Sequence, residues 1–165
     1  MQSPATDPTV RCFVRGEDTR KTGRRRRFET AVILGNTQEL PLEEDDPYDS
    51  VYSLPAELHK AGVKFAFGTF DVQFARDLPY QPASAVPFGL PYEEALKSVT
   101  INAAEIWGVA GKLGSIEPGK LADLVLTDGD LLEVRTQVKR MWIAGREVDL
   151  SSRHIKLYEK YSARQ

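Results

Sequence analysis

Few side chains in this sequence have the type and spacing to bind a metal ion. The 165 residues include two histidines, His59 and His154, and one cysteine, Cys12. No pair of His, Asp or Glu residues has a convincing spacing for a closed metal site. We therefore interpret both histidines as surface or packing residues. A single cysteine can form neither an internal disulfide nor a cysteine-based metal cage.

Two runs of like charge suggest other kinds of binding. Arg24–Arg27 could bind phosphate groups, but no aromatic residues interleave the run and the formal net charge of the chain is -2. Asp45, Asp46 and Asp49 could bind a cation, but their loop lacks the glycine turn and alternating oxygen ligands of a calcium loop. We favour solvated charge runs in both places and expect no nucleic-acid partner.

Apolar runs in the first half of the chain predict a βαβ unit. Residues 1–30 are polar and hold neither a helical nor a strand period, so we predict a disordered lead-in. Ala31–Leu34 is wholly apolar, which is typical of a parallel strand that is buried on both faces. A helix over Pro55–Ala61, capped by Ser53, and a parallel strand over Val63–Phe67 are expected to follow.

Helices and then strands are predicted in the second half. The helical segments are Ala83–Phe88 with Pro87 as an interruption, Pro91–Thr100 and Ala103–Trp107. The predicted strands are Leu124–Leu126, Val138–Ile143 and Arg146–Val148, with a tight turn at Ala144-Gly145. Ser151 is expected to cap a last helix. Three glycines are expected to need positive φ and two tryptophans to lie in the core: Gly114, Gly119 and Gly145, and Trp107 and Trp142.

Three segments of the second half resemble a known family. Leu113–Val125 reads Leu-Gly-Ser-Ile-Glu-Pro-Gly-Lys-Leu-Ala-Asp-Leu-Val, and it follows Gly89–Thr100 and Asn102–Gly108. In order and spacing the segments resemble the metal-dependent amidohydrolases of the urease and imidazolonepropionase type. Ala103 replaces the proline of the family's T-x-N-P-A-x-x-x-G pattern, and the whole resemblance covers Ala31–Tyr161.

The resemblance implies an α/β fold of which this chain holds a part. A (β/α)₈ barrel takes about 250 residues, and this chain has 165. Residues 31–112 would be the C-terminal part of the barrel, namely its last two strands and helices. Residues 113–150 would form the C-terminal half of a composite β-sandwich, and residues 151–165 a terminal helix. Without their barrel neighbours, the two parallel strands are expected to have open outer edges.

The resemblance also implies a catalytic place at Gly68–Asp71, directly after the last barrel strand. A carboxylate there would take a proton from the attacking water and pass it to the leaving nitrogen. Many relatives have the acid directly after the threonine, whereas here Phe70 intervenes and Asp71 comes one residue later. Since strand residues alternate between faces, a bulge or turn at Gly68 would be needed to restore Asp71. Asp71 is the candidate catalytic and metal-binding residue; a loop carboxylate or cap is the alternative.

Other polar residues could line the same mouth. Arg76 lies near Asp77 and Tyr80 in the sequence. It could pair with Asp71 or bind an anionic substrate group, and a plain surface ion pair is an equally good interpretation. The acidic loop before the first predicted helix would lie on the catalytic face, so substrate contact is an alternative there. Asp123 would belong to the sandwich and accept backbone hydrogen bonds. The family's other metal ligands, a His-x-His pair, a carboxylated lysine or glutamate and two further histidines, are absent from the sequence.

By this resemblance, the complete protein would hydrolyse carbon–nitrogen bonds other than peptide bonds in small amides or cyclic amides. A zinc or iron ion would activate the water. We interpret this chain as a C-terminal fragment that is inactive and metal-free alone, so its status as an enzyme is open. The alternative is a non-catalytic assembly or binding module that self-associates or completes another subunit. No membrane span or secretory signal is visible, so the default expectation is a cytoplasmic location, although a fragment could have lost its signal.

Overall fold

The computed structural model describes residues 10–15, 29–38, 47–72 and 75–163, with side chains from residue 31 onward. The fold is α/β, as predicted. Two three-stranded sheets are present: β1 (Val10–Arg15), β2 (Glu29–Leu34) and β3 (Phe65–Phe67) form the first, and β4 (Leu124–Thr127), β5 (Val138–Ile143) and β6 (Arg146–Glu147) the second. The α-helices are α1 (Ser50–Lys60), α2 (Tyr80–Ala85), α3 (Tyr92–Ser98), α4 (Ile101–Ile106) and α5 (Arg153–Ser162).

The predicted βαβ unit is confirmed by β2, α1 and β3. The two strands pair in parallel, with Leu34 opposite Phe67, and the Gly68 amide donates to the Leu34 carbonyl at 2.9 Å. Val32 and Phe65 pack in the main core, whereas Ile33 is buried in a second cluster. Both faces of the pair are therefore covered, which is why its apolar runs are unbroken.

The first strand corrects the prediction for the lead-in. Residues 10–15 form β1, antiparallel to β2, where the sequence suggested no regular structure. Pairing with β1 covers one edge of β2, a tertiary effect that local composition does not carry. The expectation of two open edges is therefore wrong for β2, while β3 has no strand on its outer side among the described residues. Arg24–Arg27, Asp45 and Asp46 lie outside the described residues.

Helix α1 begins earlier than predicted. It begins at Ser50, so Ser53 does not cap it and Pro55 lies inside it. A proline in this position removes one backbone hydrogen bond, but the ring of Pro55 is fully buried and packs in the interior. Helix α2 begins at Tyr80, three residues before the predicted Ala83, and a 3₁₀ turn at Val86–Phe88 follows it where Pro87 was expected to interrupt the helix. Helix α3 lies within its predicted segment, and α4 begins two residues before its own.

The second sheet confirms the predicted strand order and tight turn. Ala144 and Gly145 connect β5 to β6 with φ values of 49° and 76°, as a two-residue hairpin turn requires. Asp123 accepts a hydrogen bond from the Ala144 amide at 2.6 Å, which supports its predicted structural role. Gly114 and Gly119 also have the positive φ that was predicted.

Two details of the second half were predicted wrongly. Trp107 is 62% exposed rather than part of the core, and Trp142 is partly exposed, with the Arg140 guanidinium 4.8 Å from its ring centre. Several apolar side chains of the β4–β6 sheet are exposed to solvent, namely Val125, Leu126, Val138 and Ile143. Ser152, one residue after the predicted Ser151, caps α5 by accepting from the Ile155 amide.

The main core joins the two halves of the chain. Leu132, from the loop after β4, is buried beside Leu90, Phe65 and Phe67. Next to it, the Tyr92 hydroxyl on α3 donates to Asp130 at 2.6 Å. No helix in the described ranges is both long and apolar enough to cross a bilayer.

Candidate functional site

The candidate site lies where β2 and β3 end. Because the strands are parallel, the segments that follow them, Gly35–Thr37 and Gly68–Asp71, start at the same edge of the sheet. Adjacent strands are about 4.8 Å apart, so the two segments begin as direct neighbours. In α/β folds this edge is where ligands and catalytic groups are found.

A buried polar cluster fixes the segment after β2. The Thr37 amide donates to the side-chain oxygen of Gln81 at 2.6 Å, and the Thr37 hydroxyl lies 2.9 Å from the Gln81 carbonyl oxygen. The hydroxyls of Thr37 and Ser84 are 3.0 Å apart. Thr37 and Gln81 are both buried. The cluster therefore ties the described segment after β2, at Thr37, to helix α2.

The chain turns sharply after β3, at Phe70. The parallel ladder ends at Gly68, and Phe70 has a φ of 51°, a left-handed conformation that costs a residue with a side chain about 1–2 kcal/mol. The Thr69 hydroxyl donates to the Asp71 carbonyl at 3.1 Å and closes the turn. The strand alternation that would point Asp71 away from the sheet edge therefore stops before Asp71. This turn lies at Phe70, two residues after Gly68, where a bulge or turn was expected if Asp71 is to reach the catalytic place.

Asp71 and Arg76 are both exposed, but they are held differently. Asp71 belongs to the turn after β3. The Arg76 side chain is 85% exposed, and its Nε lies 3.6 Å from Asp77 Oδ1. The ion pair seen for Arg76 is thus with its chain neighbour, the surface pair that the sequence left open. Tyr80 begins α2 at the end of the same loop. Substrate binding by Arg76 stays a prediction.

The described residues do not form a metal centre by themselves. No group of three or more His, Cys, Asp or Glu side chains in these ranges could hold an ion. His59 lies on α1, with Nδ1 3.9 Å from Glu94 Oε2, and His154 is exposed on α5. Among the described residues that the sequence singled out as ligands or acids, Asp71 lies at the strand-end edge.

Several ionisable groups in the second half of the chain have a pKa that is shifted by an ion pair or a hydrogen bond. The hydrogen bond from Tyr92 lowers the pKa of Asp130 and raises that of Tyr92. Arg140 lowers the pKa of Glu147 through a two-pronged contact, with both nitrogen–oxygen distances at 2.7 Å. These groups stabilise loops and strand pairs far along the chain from Asp71.

Away from the strand-end edge, a groove lies between α4 and the start of β4. This groove has a volume of about 480 Å³. Its lining is largely apolar and includes Trp107, Val109, Ile116, Leu121 and Val125. Several of these side chains are exposed to solvent, so the groove is an open apolar surface rather than an enclosed pocket.

Sequence reasoning missed the Thr37–Gln81–Ser84 cluster. Thr37 and Gln81 are 44 residues apart, and neither falls in a motif. The only local signal was the position of Thr37 just after a buried strand. Phe70 was noticed only as a displaced residue, because its left-handed backbone is invisible in the sequence.

Comparison with known proteins gives consistent matches. The model of the amidohydrolase family matches residues 45–148. Imidazolonepropionase of Sphingopyxis alaskensis is 47% identical over 51 residues, which are 30% of this chain and 13% of that protein. The aligned segment is thus a small part of the relative's length.

Two solved structures resemble the described fold. An amidohydrolase from Thermotoga maritima superposes with a TM-score of 0.55 at 37% sequence identity, over 59% of this chain and 26% of that one. An adenosine deaminase from Xanthomonas campestris with bound zinc has a TM-score of 0.50 at 25% identity, over 67% of this chain and 33% of that one. This chain therefore spans between a quarter and a third of those structures.

Proposed function

Because the chain belongs to the amidohydrolase family, we propose that it is the strand-end acid segment of a hydrolase of carbon–nitrogen bonds other than peptide bonds. Its substrates are small amides or cyclic amides. The match to imidazolonepropionase supports the cyclic class. The chain acts in a complete barrel, and alone it does not turn substrate over.

The position of Asp71 carries the proposal. Asp71 lies in the turn that follows β3, on the edge where β2 and β3 both end. In this place a carboxylate takes a proton from the attacking water and returns it to the leaving nitrogen. Arg76, in the 3₁₀ turn Ala75–Asp77 that follows, is the proposed contact for an anionic substrate group.

A metal site of this kind needs several donor side chains, so other residues must complete the one proposed here. Zinc or iron in a complete family member supplies an activated water. Zinc bound to the adenosine deaminase neighbour supports this cofactor. Asp71 is the single ligand proposed here, so the remaining ligands come from outside the described residues. On this proposal residues 31–112 are the end of a barrel, residues 113–150 half of a composite sandwich and residues 151–165 a terminal helix.

A complementation experiment tests the proposal. The chain is co-expressed with the Thermotoga maritima amidohydrolase lacking the quarter that aligns here, and hydrolysis of amides and cyclic amides is followed by chromatography. We expect turnover with the wild-type chain and loss of at least about 100-fold with Asp71→Asn. Glu133→Gln, an exposed acid in the second half, is the matched control and keeps the activity. Equal rates with Asp71→Asn and wild type would contradict the assignment.

A second candidate function is a non-catalytic assembly module. The observation that favours it is the set of exposed apolar side chains on and near the second sheet: Ile116, Val125, Leu126, Val138 and Ile143. Under this alternative the purified chain takes up no metal, changes its circular dichroism with concentration and binds a partner equally well with Asp71→Asn. A rate that depends on Asp71 separates the two functions.

A further inference from the structure

We propose that Phe70 is a specificity-determining residue whose ring contacts a flat apolar ring on the substrate, next to the amide under attack. The inference rests on the proposed function, because it assumes that the substrate binds at the edge where β2 and β3 end. It specifies the substrates as amides with an aromatic or other planar ring beside the carbonyl. The family match does not specify such a class.

The backbone of Phe70 is the first observation. Its φ of 51° lies in the left-handed region, where glycine, asparagine and aspartate are the usual residues. Backbone conformations of this kind persist where the surrounding structure holds them, and they concentrate at binding sites. Here the hydrogen bond from Thr69 to the Asp71 carbonyl holds the turn on both sides of Phe70.

The contact between Phe70 and Gly68 is the second observation. A Cβ atom on Gly68 would lie 3.5 Å from Cζ of the Phe70 ring and 3.2 Å from Cγ2 of Ile33. The ring is therefore folded back toward the end of β3, over the backbone of Gly68. The absence of a side chain at position 68 leaves room for both neighbours.

The exposure of the ring is the third observation. Phe70 is 49% exposed although its backbone is held and its ring lies against Gly68. It precedes Asp71 directly, so an apolar face and a carboxylate adjoin at the strand-end edge. An aromatic face prefers an offset or edge-on ring partner, worth about 0.5–1.5 kcal/mol beyond area burial, which corresponds to about a three- to tenfold change in affinity.

Binding of two probe amides to the purified chain tests this inference without requiring turnover. Benzamide carries a planar ring, and isobutyramide carries the same amide without a ring. Affinities are measured by NMR from the amide shifts of Gly68, Thr69 and Asp71. We expect Phe70→Leu to weaken benzamide binding about three- to tenfold and to leave isobutyramide unchanged. Phe70→Tyr, which keeps the ring, is expected to bind benzamide like wild type.

Two further variants serve as controls. Phe70→Gly removes the ring and also relieves the left-handed backbone, so it should fold at least as well as wild type and still lose benzamide preference. Tyr158→Leu removes a ring that is exposed elsewhere, on α5, and should have no effect. In the complemented enzyme, Phe70→Leu should raise KM for benzamide and leave kcat unchanged.

The possible results separate this inference from the proposed function. Equal benzamide affinity for wild type and Phe70→Leu, or shifts confined to the groove near Trp107, would overturn the role of Phe70. Hydrolysis that depends on Asp71 but not on Phe70 would support the proposed function and contradict the ring contact. Ring-selective binding that depends on Phe70, without hydrolysis in any assembly, would support the ring contact and contradict the hydrolase function.

Discussion

Single residues at the strand-end edge are constrained in ways that their exposure does not reveal. Thr37 and Gln81 belong to no sequence motif, yet both are buried and hydrogen-bond to each other. Phe70, by contrast, is half exposed and held in a left-handed turn. The buried cluster holds Thr37, three residues after β2, and the turn sets the direction of the chain at Asp71. At this edge of the sheet, buried hydrogen bonds hold Thr37 in place, while Phe70 and Asp71 are accessible to solvent.

The first prediction concerns the buried cluster. Thr37→Val keeps the shape of the side chain but removes the hydroxyl between Gln81 and Ser84. Because buried polar atoms then lose a partner, we expect a loss of about 1–3 kcal/mol in the free energy of unfolding, measured by urea denaturation. Thr127→Val is the control, since its hydroxyl makes one exposed bond to the Gly129 carbonyl. Similar losses in both variants would show that the cluster is not a special source of stability.

Among the secondary-structure elements, strands with a continuous apolar run were predicted from the sequence. The strand that forms by pairing with another strand was missed. The apolar runs of β2 and β3 and the turn at Ala144-Gly145 could be read directly. Strand β1 could not, because its order comes from pairing with β2. The start of α1 was missed because Pro55, usually a first-turn residue, is accommodated inside the helix.

The candidate site was predictable to a similar extent. The end of β3 was located correctly as a segment, because a buried strand followed by Gly68 is a local pattern. Neither the turn at Phe70 nor the link from Thr37 to Gln81 was predictable. A backbone dihedral angle and a contact across 44 residues leave no periodic trace in the sequence.

The second prediction concerns the loop that packs on α4. Gly114 and Gly119 have nearly equal φ values, 92° and 91°. A Cβ on Gly114 would lie 2.7 Å from Ala104 Cβ, whereas a Cβ on Gly119 would meet nothing within 4 Å. We expect Gly119→Ala to lower the free energy of unfolding by about 1–2 kcal/mol through the backbone alone. Gly114→Ala adds about 1–3 kcal/mol from overpacking.

Urea denaturation of the two glycine variants measures this difference. Their backbone penalties cancel in the comparison, so the excess for Gly114→Ala reports the fit between the loop and α4. Equal losses would mean that the loop moves aside readily and that this packing is loose.

At the scale of the whole molecule, the loop after β4 contacts the strand–helix unit through a buried side chain and a hydrogen bond. Leu132 enters the main core from the loop after β4, and Asp130 accepts the hydrogen bond from Tyr92 on α3. The second sheet itself buries little. The segment around residues 130–132 therefore helps to fix its position, together with the loop at Gly114, which packs on Ala104 of α4.

The third prediction tests the buried anchor. Leu132 is 6% exposed, and Leu132→Ala leaves a cavity beside Leu90 and Phe65. Such a change costs about 2–5 kcal/mol in the free energy of unfolding. Val134→Ala, at a site that is 65% exposed, is the control and should change stability by about 0.5 kcal/mol or less. If the two variants unfold at the same urea concentration, the second half is not anchored in the core.

The fourth prediction is the pH dependence of the polar link. The pKa of Asp130 is lowered in the folded state, so its contribution is present above the unfolded value of 3.8 and is lost as the pH falls through the lower folded value. The pKa of Tyr92 is raised, so its contribution is present below 10.0 and is lost as the pH rises through the higher folded value.

Urea midpoints of wild type and Tyr92→Phe between pH 3 and pH 9 test this link. We expect a constant difference at neutral pH that narrows in the acid range, because protonated Asp130 no longer favours the hydrogen bond. Tyr158→Phe, with an exposed hydroxyl on α5, should match wild type throughout. A difference that does not change with pH would show that the Tyr92 hydroxyl acts without the Asp130 charge.

We propose that this chain contributes one strand-end acid to a site whose other donor atoms lie elsewhere. The most direct measurement loads the purified chain with zinc, removes excess ion, and determines bound zinc by mass spectrometry together with the hydrolysis rate of a cyclic amide. We expect well under one zinc per chain and a hydrolysis rate equal to that of buffer. One tightly held zinc per chain, with turnover that a chelator abolishes, would contradict it.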